Sequence, residues 1–248
     1  PLFTPNPDIV NFNFGAVIAG TYLDGTQYDA LESDDFVVLP QSQADADTAG
    51  YDVTHDFHAN TGNDTITGSD AFGETIFGDT GVDTLVGNGG DDVLSGGIGK
   101  DQLSGGDDDD TLISNSSYNS LNGDAGNDTL TSTAGNNTLT GGTGNDQITS
   151  GVGKDTLTGG ADADRFIFGN ISQSNNATPD VITDFVSGSD KIDVTGISTS
   201  ALQYGNTTAG SNRLWYSQAN NNTDVMMDTT GDGVADTTIR LTGTINLV

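Results

Sequence analysis

A nine-residue repeat runs through the middle of this 248-residue chain and constrains its fold more than any other feature. Large apolar residues recur at every ninth position, at Ile76, Leu85, Leu94, Leu103, Leu112, Leu121, Leu130, Leu139, Ile148, Leu157 and Phe166. Two residues before each of them stands an acid or an asparagine, at the end of a turn that is usually rich in glycine. A fixed period of this length predicts a solenoid, in which each repeat buries its apolar side against its neighbours.

Each repeat divides into a six-residue turn and a three-residue strand. In the triplet Thr129, Leu130 and Thr131 the apolar residue is flanked by hydroxyl side chains. Because side chains alternate across a strand, the leucine is predicted to point inward and the threonines outward. One residue is inserted between Ile66 and Ile76, which are ten residues apart. Such short strands bury little apolar area each, so stability must also come from whatever holds the turns.

The charge of the chain indicates a cation as its partner. Six Lys and Arg face 36 acids, all but two of them Asp, and the formal net charge is −30. The short Asp side chain suits turns and metal-binding loops. Nucleic acids and anionic membranes would be repelled, so neither is expected as a partner. Membrane insertion is not expected either, because no apolar run approaches the roughly 18 residues of a membrane span.

The acids at the sixth turn position fall into two rows when alternate repeats are separated. We call the first the continuous row, because an acid stands at every repeat: Glu74, Asp92, Asp110, Asp128, Asp146 and Asp164. The second is the interrupted row, in which asparagine replaces two acids: Asp64, Asp83, Asp101, Asn119, Asn137 and Asp155. The turns that lead to Asn119 and Asn137 have also lost their first glycine, which is Ser114 or Ser132.

Calcium fits these rows on chemical grounds. It takes six to eight oxygen ligands at about 2.3 to 2.6 Å, and glycine lets backbone carbonyls turn toward a bound ion. Parallel turns stack about 4.8 Å apart, and two bare carboxylates at that spacing repel by about 1 kcal/mol even in water. We therefore predict that folding and calcium binding are one equilibrium. If alternate turns stack and an ion lies in each acidic gap, five gaps in the continuous row and two in the interrupted row give about seven ions, which would change the formal charge from −30 to −16. The turns of Asn119 and Asn137 are expected to close through amide hydrogen bonds or water.

Turns such as residues 96–101 and 141–146 resemble the calcium-binding nonapeptides of RTX proteins over about 110 residues. The resemblance implies an all-β fold, a right-handed parallel β-roll in which two nonapeptides complete one coil, with irregular β caps at both ends. It also implies calcium ligands from sixth-position carboxylates and from carbonyls of the glycine-rich positions. The implied acids are Asp64, Glu74, Asp83, Asp92, Asp101, Asp110, Asp128, Asp146, Asp155 and Asp164, and the implied glycines are Gly87, Gly89, Gly105, Gly123, Gly126, Gly141, Gly144 and Gly159.

Residues 159–168, 180–185 and 190–193 resemble the carboxy-terminal end of RTX proteins that type I secretion exports. Asp180, Asp184 and Asp190 are predicted to supply a closing calcium site, with a metal-free cap as the alternative. The sequence thus predicts an amino-terminal cap over residues 1–58, an RTX β-roll over 59–168, and a cap and secretion region over 169–248. Three short antiparallel strands are predicted near the end, packing Trp215 and Tyr216 on the roll.

Two further patterns suggest metals more weakly. His55 and His58 have the spacing of zinc ligands, but no third strong ligand accompanies them. Residues 228–236 have the 1, 3, 5, 9 spacing and sixth-position glycine of an EF-hand-like loop. Ile239 stands where a bidentate Glu is expected, so a plain hairpin turn is the favoured interpretation.

The leading functional prediction is a calcium-binding RTX module that folds after export by the type I secretion machinery and serves a larger bacterial protein. Residues 20–40 resemble the segment that precedes the terminal repeats of large biofilm adhesins, so an adhesin at the bacterial cell surface is the expected parent. The alternatives are the tail of a secreted hydrolase and an S-layer or ice-binding solenoid. Catalysis is not expected, because a Ser-His-Asp set and an HExxH motif are both absent from the sequence. The module is expected to be extracellular and monomeric.

Overall fold

The computed structural model describes residues 9–11, 27–29, 33–44, 46, 56–116, 118–197, 203–204, 213–230 and 232–245. Regular structure in these ranges is almost entirely β-strand. Within the same ranges, no helix is long and apolar enough to cross a membrane. The chain has the all-β architecture that the repeat predicts.

The alternation of side chains forms the strands as expected. In the strand Thr129–Ser132 the side chain of Leu130 is buried, whereas Thr129 and Thr131 are half-buried at the surface. The same order recurs in every strand of the repeat array. Each strand therefore contributes one apolar residue to the interior, and its hydroxyl neighbours lie outward.

Two parallel sheets face each other across this interior, and successive strands alternate between them. Numbered in chain order, the odd strands lie in the first sheet: β1 (Ile9–Asn11), β3 (Phe36–Val38), β5 (Thr65–Thr67), β7 (Thr84–Gly89), β9 (Gln102–Asp107), β11 (Ser120–Ala125), β13 (Thr138–Thr143), β15 (Thr156–Ala161) and β17 (Asp180–Ile182). The even strands form the second sheet: β2 (Gln27–Asp29), β4 (Asp56–His58), β6 (Thr75–Phe77), β8 (Val93–Ser95), β10 (Thr111–Ser114), β12 (Thr129–Ser132), β14 (Gln147–Thr149), β16 (Arg165–Ile167) and β18 (Lys191–Asp193). The chain thus forms the predicted parallel β-roll.

The strand register places equivalent residues of successive coils on top of each other. Leu103 in β9 pairs with Leu85 on one side and with Leu121 on the other. In the second sheet Leu112 pairs in the same way with Leu94 and Leu130. These side chains form one apolar column along the roll axis, buried to within a few per cent. Stacking supplies the core that a single three-residue strand lacks.

The inserted residue lies in the turn between β5 and β6. This turn ends in Glu74, whose Oε2 accepts the backbone N–H of Ser69 at 3.0 Å. Phe72 from the same turn packs against the core. The extra methylene of Glu relative to Asp extends the carboxylate across the enlarged turn, which explains the one Glu in a row of Asp.

Parallel pairing continues past both predicted ends of the roll. β3 and β4, which precede residue 59, already pair in parallel with β5 and β6 of the roll. β17 and β18, which follow residue 168, continue the two sheets at the other end. The division of the chain into three domains at these positions remains a prediction. Residues 20–26 and 30–32, which are part of the segment that suggested an adhesin, lie outside the described residues.

The predicted antiparallel strands are present beyond β18. β19 (Gln203–Tyr204) pairs parallel with β20 (Arg213–Ala219), which forms an antiparallel meander with β21 (Asn222–Met227) and β22 (Thr237–Thr242). β22 also pairs parallel with β17, so the meander extends the first sheet. Met227 joins the core and Trp215 is buried, whereas Tyr216 is only half-buried. The meander thus covers the end of the roll with apolar side chains.

Candidate metal centre

One oxygen of each Asp in the two rows accepts a hydrogen bond from the neighbouring coil, whereas that of Glu74 accepts one within its own turn. Asp128 Oδ1 accepts the backbone N–H of Asp110 at 2.8 Å, and Asp146 Oδ1 accepts that of Asp128 at 2.8 Å. In the interrupted row Asp101 Oδ1 accepts the N–H of Asp83 at 3.0 Å. These bonds link residues 18 apart, one full coil. The carboxylates of the rows are therefore fixed by hydrogen bonds to the backbone of neighbouring turns.

The second oxygen of each row acid is buried and has no hydrogen-bond partner. This holds for Oε1 of Glu74 and for Oδ2 of Asp64, Asp83, Asp92, Asp101, Asp110, Asp128, Asp146, Asp155 and Asp164. These are the ten row acids predicted as calcium ligands. A buried polar atom without a partner costs free energy, and a charged one costs more. An unpaired oxygen at ten equivalent positions indicates a binding site for a species that is coordinated by oxygen atoms.

A backbone carbonyl approaches the same space. A Cβ built on Gly123 would stand 2.3 Å from Asp128 Oδ2 and 2.5 Å from the carbonyl oxygen of Gly141 in the next coil. At Gly87 the corresponding distances are 2.1 Å to Asp92 Oδ2 and 2.5 Å to the Gly105 carbonyl oxygen. Only glycine leaves this space open. The residues present therefore fit a cation that takes oxygen ligands from a carboxylate and from backbone carbonyls.

The predicted glycines divide into two kinds. Gly87, Gly105, Gly123, Gly141 and Gly159 lead their turns, and each faces the unpaired oxygen of its own row acid at 2.1 to 2.3 Å from the built Cβ. Gly89, Gly126 and Gly144 do not face a row acid. Gly144 has a φ of +119°, and a Cβ there would stand 1.9 Å from the Gly126 carbonyl oxygen. It is required for the close approach of adjacent coils, and its ligand role stays a prediction.

Side chains alone do not complete a metal site in the part of the chain that the structure describes. No group of three or more His, Cys, Asp or Glu residues converges there. Calcium needs six to eight oxygens, so most ligands at the rows must be backbone carbonyls or water. The glycine-rich turns supply carbonyls of this kind.

Burial shifts the acid-base behaviour of the rows. Desolvation raises the pKa of Asp83, Asp110 and Asp146 from 3.8 to about 7, and neighbouring carboxylates add to the rise. The pKa of Glu74 rises from 4.5 to about 8 for the same main reason. A backbone hydrogen bond to the carboxylate, from Ser69 to Glu74 and from Asp64 to Asp83, opposes these shifts only in part. The metal-free rows thus favour protonated acids, whereas calcium ligands must be charged.

The interrupted row has the amide hydrogen bonds expected from its sequence. Asn119 Nδ2 donates to the Ser116 carbonyl at 2.8 Å, and Asn137 Nδ2 donates to the Ala134 carbonyl at 2.9 Å. Their Oδ1 atoms still accept the N–H of the previous coil, as the acids do. Asparagine therefore keeps the hydrogen bond between coils through its side-chain oxygen, and its NH₂ group donates to a carbonyl of its own turn.

The rows extend further than their period shows. Asp64 Oδ1 accepts the N–H of Asp35, Asp180 Oδ1 that of Asp155, and Asp190 Oδ1 that of Asp164. The spacings here are 29, 25 and 26 residues. Asp35, Asp180 and Asp190 each stand two positions before a core or partly buried apolar residue, as every row acid does. This spacing alone, without the nine-residue period, could have identified Asp35 and Asp190 as members of the rows.

The predicted closing residues differ from the other row acids. Both oxygens of Asp180 are hydrogen-bonded, Oδ1 to the Asp155 N–H and Oδ2 to the Ser150 hydroxyl. Asp184 accepts the N–H groups of Gly159 and Gly160 with its two oxygens. The structure thus gives both residues a role in fastening the last coil, and a calcium site at them remains a prediction.

The weaker metal patterns have other contacts. His58 Nδ1 lies 2.8 Å from Asp79 Oδ2, and its ring stacks on Phe77 with centroids 4.5 Å apart. His55 lies outside the described residues, so the zinc prediction is untested. In the loop of residues 228–236, Asp236 accepts N–H groups from Thr229 and Thr230. This loop joins two paired antiparallel strands, β21 and β22, as the favoured hairpin interpretation expects.

Comparison with known families decides the identity of this array. Residues 44–248 match the family described as Peptidase M10 serralysin C terminal, which covers most of the chain. The chain belongs to the serralysin C-terminal family. Domains of this family carry RTX-type repeats, so the predicted RTX resemblance is confirmed. The repeats are generally calcium-binding and occur in proteins exported by type I secretion, which supports the predicted calcium, export and extracellular location in general terms.

Two individual proteins are similar to parts of this serralysin C-terminal chain. Metalloprotease AprA of Pseudomonas entomophila strain L48 is 42% identical over an alignment of 86 residues, with a coverage of 32% of this chain and 18% of AprA. The match spans less than a fifth of AprA. The AlgE6R3 subunit of the Azotobacter vinelandii mannuronan C5-epimerase is 27% identical, with a TM-score of 0.31, over 57% of this chain and 70% of the subunit.

Proposed function

We propose that this chain is the calcium-dependent folding and export module of a larger secreted bacterial protein. The observation that carries the proposal is the set of ten buried carboxylate oxygens without partners, repeated coil after coil. At five of them a backbone carbonyl of the next coil borders the same space: Asp83, Asp92, Asp110, Asp128 and Asp146. The sequence count of about seven ions, five in the continuous row and two in the interrupted row, is retained as part of the proposal.

The chain's own residues oppose folding when the rows are charged. The formal net charge is −30, and the row acids are stacked and buried. Desolvation and mutual repulsion then both disfavour the folded state. Bound calcium would supply positive charge and a partner for the free oxygens. The hydrogen bonds from coil to coil hold the carboxylate of each row Asp in place for this ligand.

This coupling suits export through a narrow channel. At the low calcium concentration of the cytosol the chain stays unfolded and can pass through a secretion channel. At the higher concentration outside the cell, binding is linked to folding by mass action. The folded roll then hinders return of the exported segment.

The parent protein is proposed to be a secreted metalloprotease. The similarity to AprA, which is named a metalloprotease, and the serralysin family both favour the hydrolase alternative over the adhesin expected from residues 20–40. We place the module outside the cell, as a monomer without catalysis of its own. The buried acids, which could otherwise suggest a catalytic pair, are accounted for by the two rows.

A calcium titration followed by circular dichroism tests the proposal. The metal-free protein at neutral pH should be disordered, and millimolar calcium should produce a β-rich spectrum that a chelator reverses. Magnesium at the same concentration is the control, because it demands a smaller octahedral site and retains its waters. A β-rich spectrum that neither calcium nor chelator changes would rule the function out.

A further inference from the structure

The interrupted row contains a part whose residues do not fit calcium. In the turns before Asp83 and Asp101, the leading residues Gly78 and Gly96 leave open space beside the row acid. A Cβ on Gly96 would stand 2.6 Å from Asp101 Oδ2. The next two turns of the interrupted row begin with Ser114 and Ser132, both buried. Their side chains occupy the position that Gly78 and Gly96 leave free in the earlier turns.

The side chain at the end of each of these turns also has the wrong chemistry for a cation. Asn119 and Asn137 point an amide nitrogen, which is a hydrogen-bond donor, where an acid has its free oxygen. Asn119 Nδ2 donates to the Ser116 carbonyl at 2.8 Å. Asn137 Nδ2 donates to the carbonyls of Ala134 and Gly135 at 2.9 and 3.2 Å. Both halves of each amide are therefore bonded to the protein, and neither offers an unpaired oxygen to a cation.

Hydroxyl groups add bonds between coils at the same place. Ser116 Oγ accepts the N–H of Gly99 at 3.1 Å and donates to the carbonyl of Gly99 in the previous coil. Ser132 Oγ accepts the N–H of Gly151 in the next coil at 3.2 Å. Protein side chains thus join successive turns where the continuous row would need a bridging ion.

We propose that residues 114–119 and 132–137 form a metal-free clasp, in which the amides of Asn119 and Asn137 replace calcium. The proposal rests on the calcium-dependent function above and specifies where the ions bind. The continuous row binds calcium along its length, whereas the interrupted row binds it only outside the clasp.

The test is to restore the lost residues and count bound calcium. The full chain with Ser114→Gly, Asn119→Asp, Ser132→Gly and Asn137→Asp should bind about one to three more ions than the original, because three gaps of the row regain an acid. Equilibrium dialysis at saturating calcium with elemental analysis gives the stoichiometry. The matched control is Asn127→Asp with Asn145→Asp. These two exposed asparagines lie on the opposite edge, outside both rows, and add the same charge. The control should bind the original number.

A second variant keeps the proposal testable if the restored chain does not fold. Asn119→Ala with Asn137→Ala should lower the unfolding temperature in saturating calcium and leave the stoichiometry unchanged. Loss of a bound ion from this variant would overturn the clasp, as would a restored chain that folds and gains none. If the original chain binds no calcium at all, the proposed function fails before the clasp is tested. The two failures are therefore distinguishable.

Discussion

The two oxygens of each row acid have different tasks, and this division explains why the acids are Asp. Oδ1 accepts a backbone N–H from the neighbouring coil, which requires a carboxylate close to the main chain. Oδ2 is buried without a partner in the same residues. At Asn119 and Asn137 the amide oxygen still accepts the N–H of the neighbouring coil, but an NH₂ group replaces the unpaired oxygen.

Asp128→Asn in the continuous row separates these tasks. The variant keeps the acceptor for the Asp110 N–H but places an NH₂ group at the unpaired oxygen. We expect at least one fewer bound calcium and a lower unfolding temperature in saturating calcium, both measured against the original chain. Asp109→Asn, which is exposed, should change neither. An unchanged stoichiometry in Asp128→Asn would remove Asp128 from the ligand set.

Gly123→Ala tests the open space beside Asp128. Its Cβ would stand 2.3 Å from Asp128 Oδ2 and 2.5 Å from the Gly141 carbonyl oxygen, too close for either contact. We expect a calcium affinity at least about tenfold weaker, which corresponds to about 1.4 kcal/mol, measured by isothermal titration calorimetry. Gly169→Ala is the control, since its nearest contact is 3.4 Å away, at Gln173 Oε1. Equal affinities in the two variants would show that the space is not a ligand site.

At the scale of elements, very short strands form a stable structure only because each is covered on both sides by another. The internal strands satisfy this through parallel neighbours one coil away. The end of the first sheet is covered by the meander, whose strand β22 pairs Leu241 with Ile182 of β17. Both side chains are fully buried. The cap therefore has the same apolar register as the coils that it covers.

Leu241→Ala should destabilise the folded, calcium-loaded protein by about 2 to 5 kcal/mol, the usual cost of a buried Leu→Ala change. Guanidinium unfolding at saturating calcium measures the free energy of unfolding. Thr242→Ala in the same strand is exposed and should change it by less than about 0.5 kcal/mol. A loss for Leu241→Ala as small as that for Thr242→Ala would mean that the meander does not protect the roll.

At the scale of the whole molecule, the charge of the buried acids controls how stability depends on pH. Burial raises the pKa of Asp64 and Asp128 to about 6, and that of Asp83 and Asp110 to about 7. In the unfolded chain these groups titrate near 3.8. A raised pKa means that the metal-free fold binds protons more tightly than the unfolded chain does. Its stability is greatest below about pH 4 and is lost as the pH rises through about 6 to 7.

Calcium should reverse this pH dependence, because it binds the deprotonated acids. We expect the chelated protein to lose its β-rich spectrum as the pH rises from 5.5 to 7.5, and the protein in saturating calcium to keep it over the same range. Circular dichroism at each pH, with chelator and with calcium, makes the comparison. Loss of the fold at the higher pH in saturating calcium would contradict charged row acids as the ligands.

Much of the fold and of the site is predictable because both follow one short period. Leu103, Leu112 and Leu121 are core residues by their spacing alone, and the structure buries all three. All ten acids that the pattern assigns to the rows carry the unpaired oxygen. Period, side-chain alternation and the preference of glycine for tight turns are local properties, so they can be read from neighbouring residues.

The sequence by itself thus determined a parallel β-roll with one continuous and one interrupted acidic row. Only the tertiary structure decided how the rows and sheets end. Asp35, Asp180 and Asp190 join the rows across 25 to 29 residues, because connections of irregular length return each of them to the next coil. The parallel pairing of β22 with β17 likewise brings together residues about 60 positions apart. Contacts of this kind depend on how the intervening chain packs, and no local period encodes them.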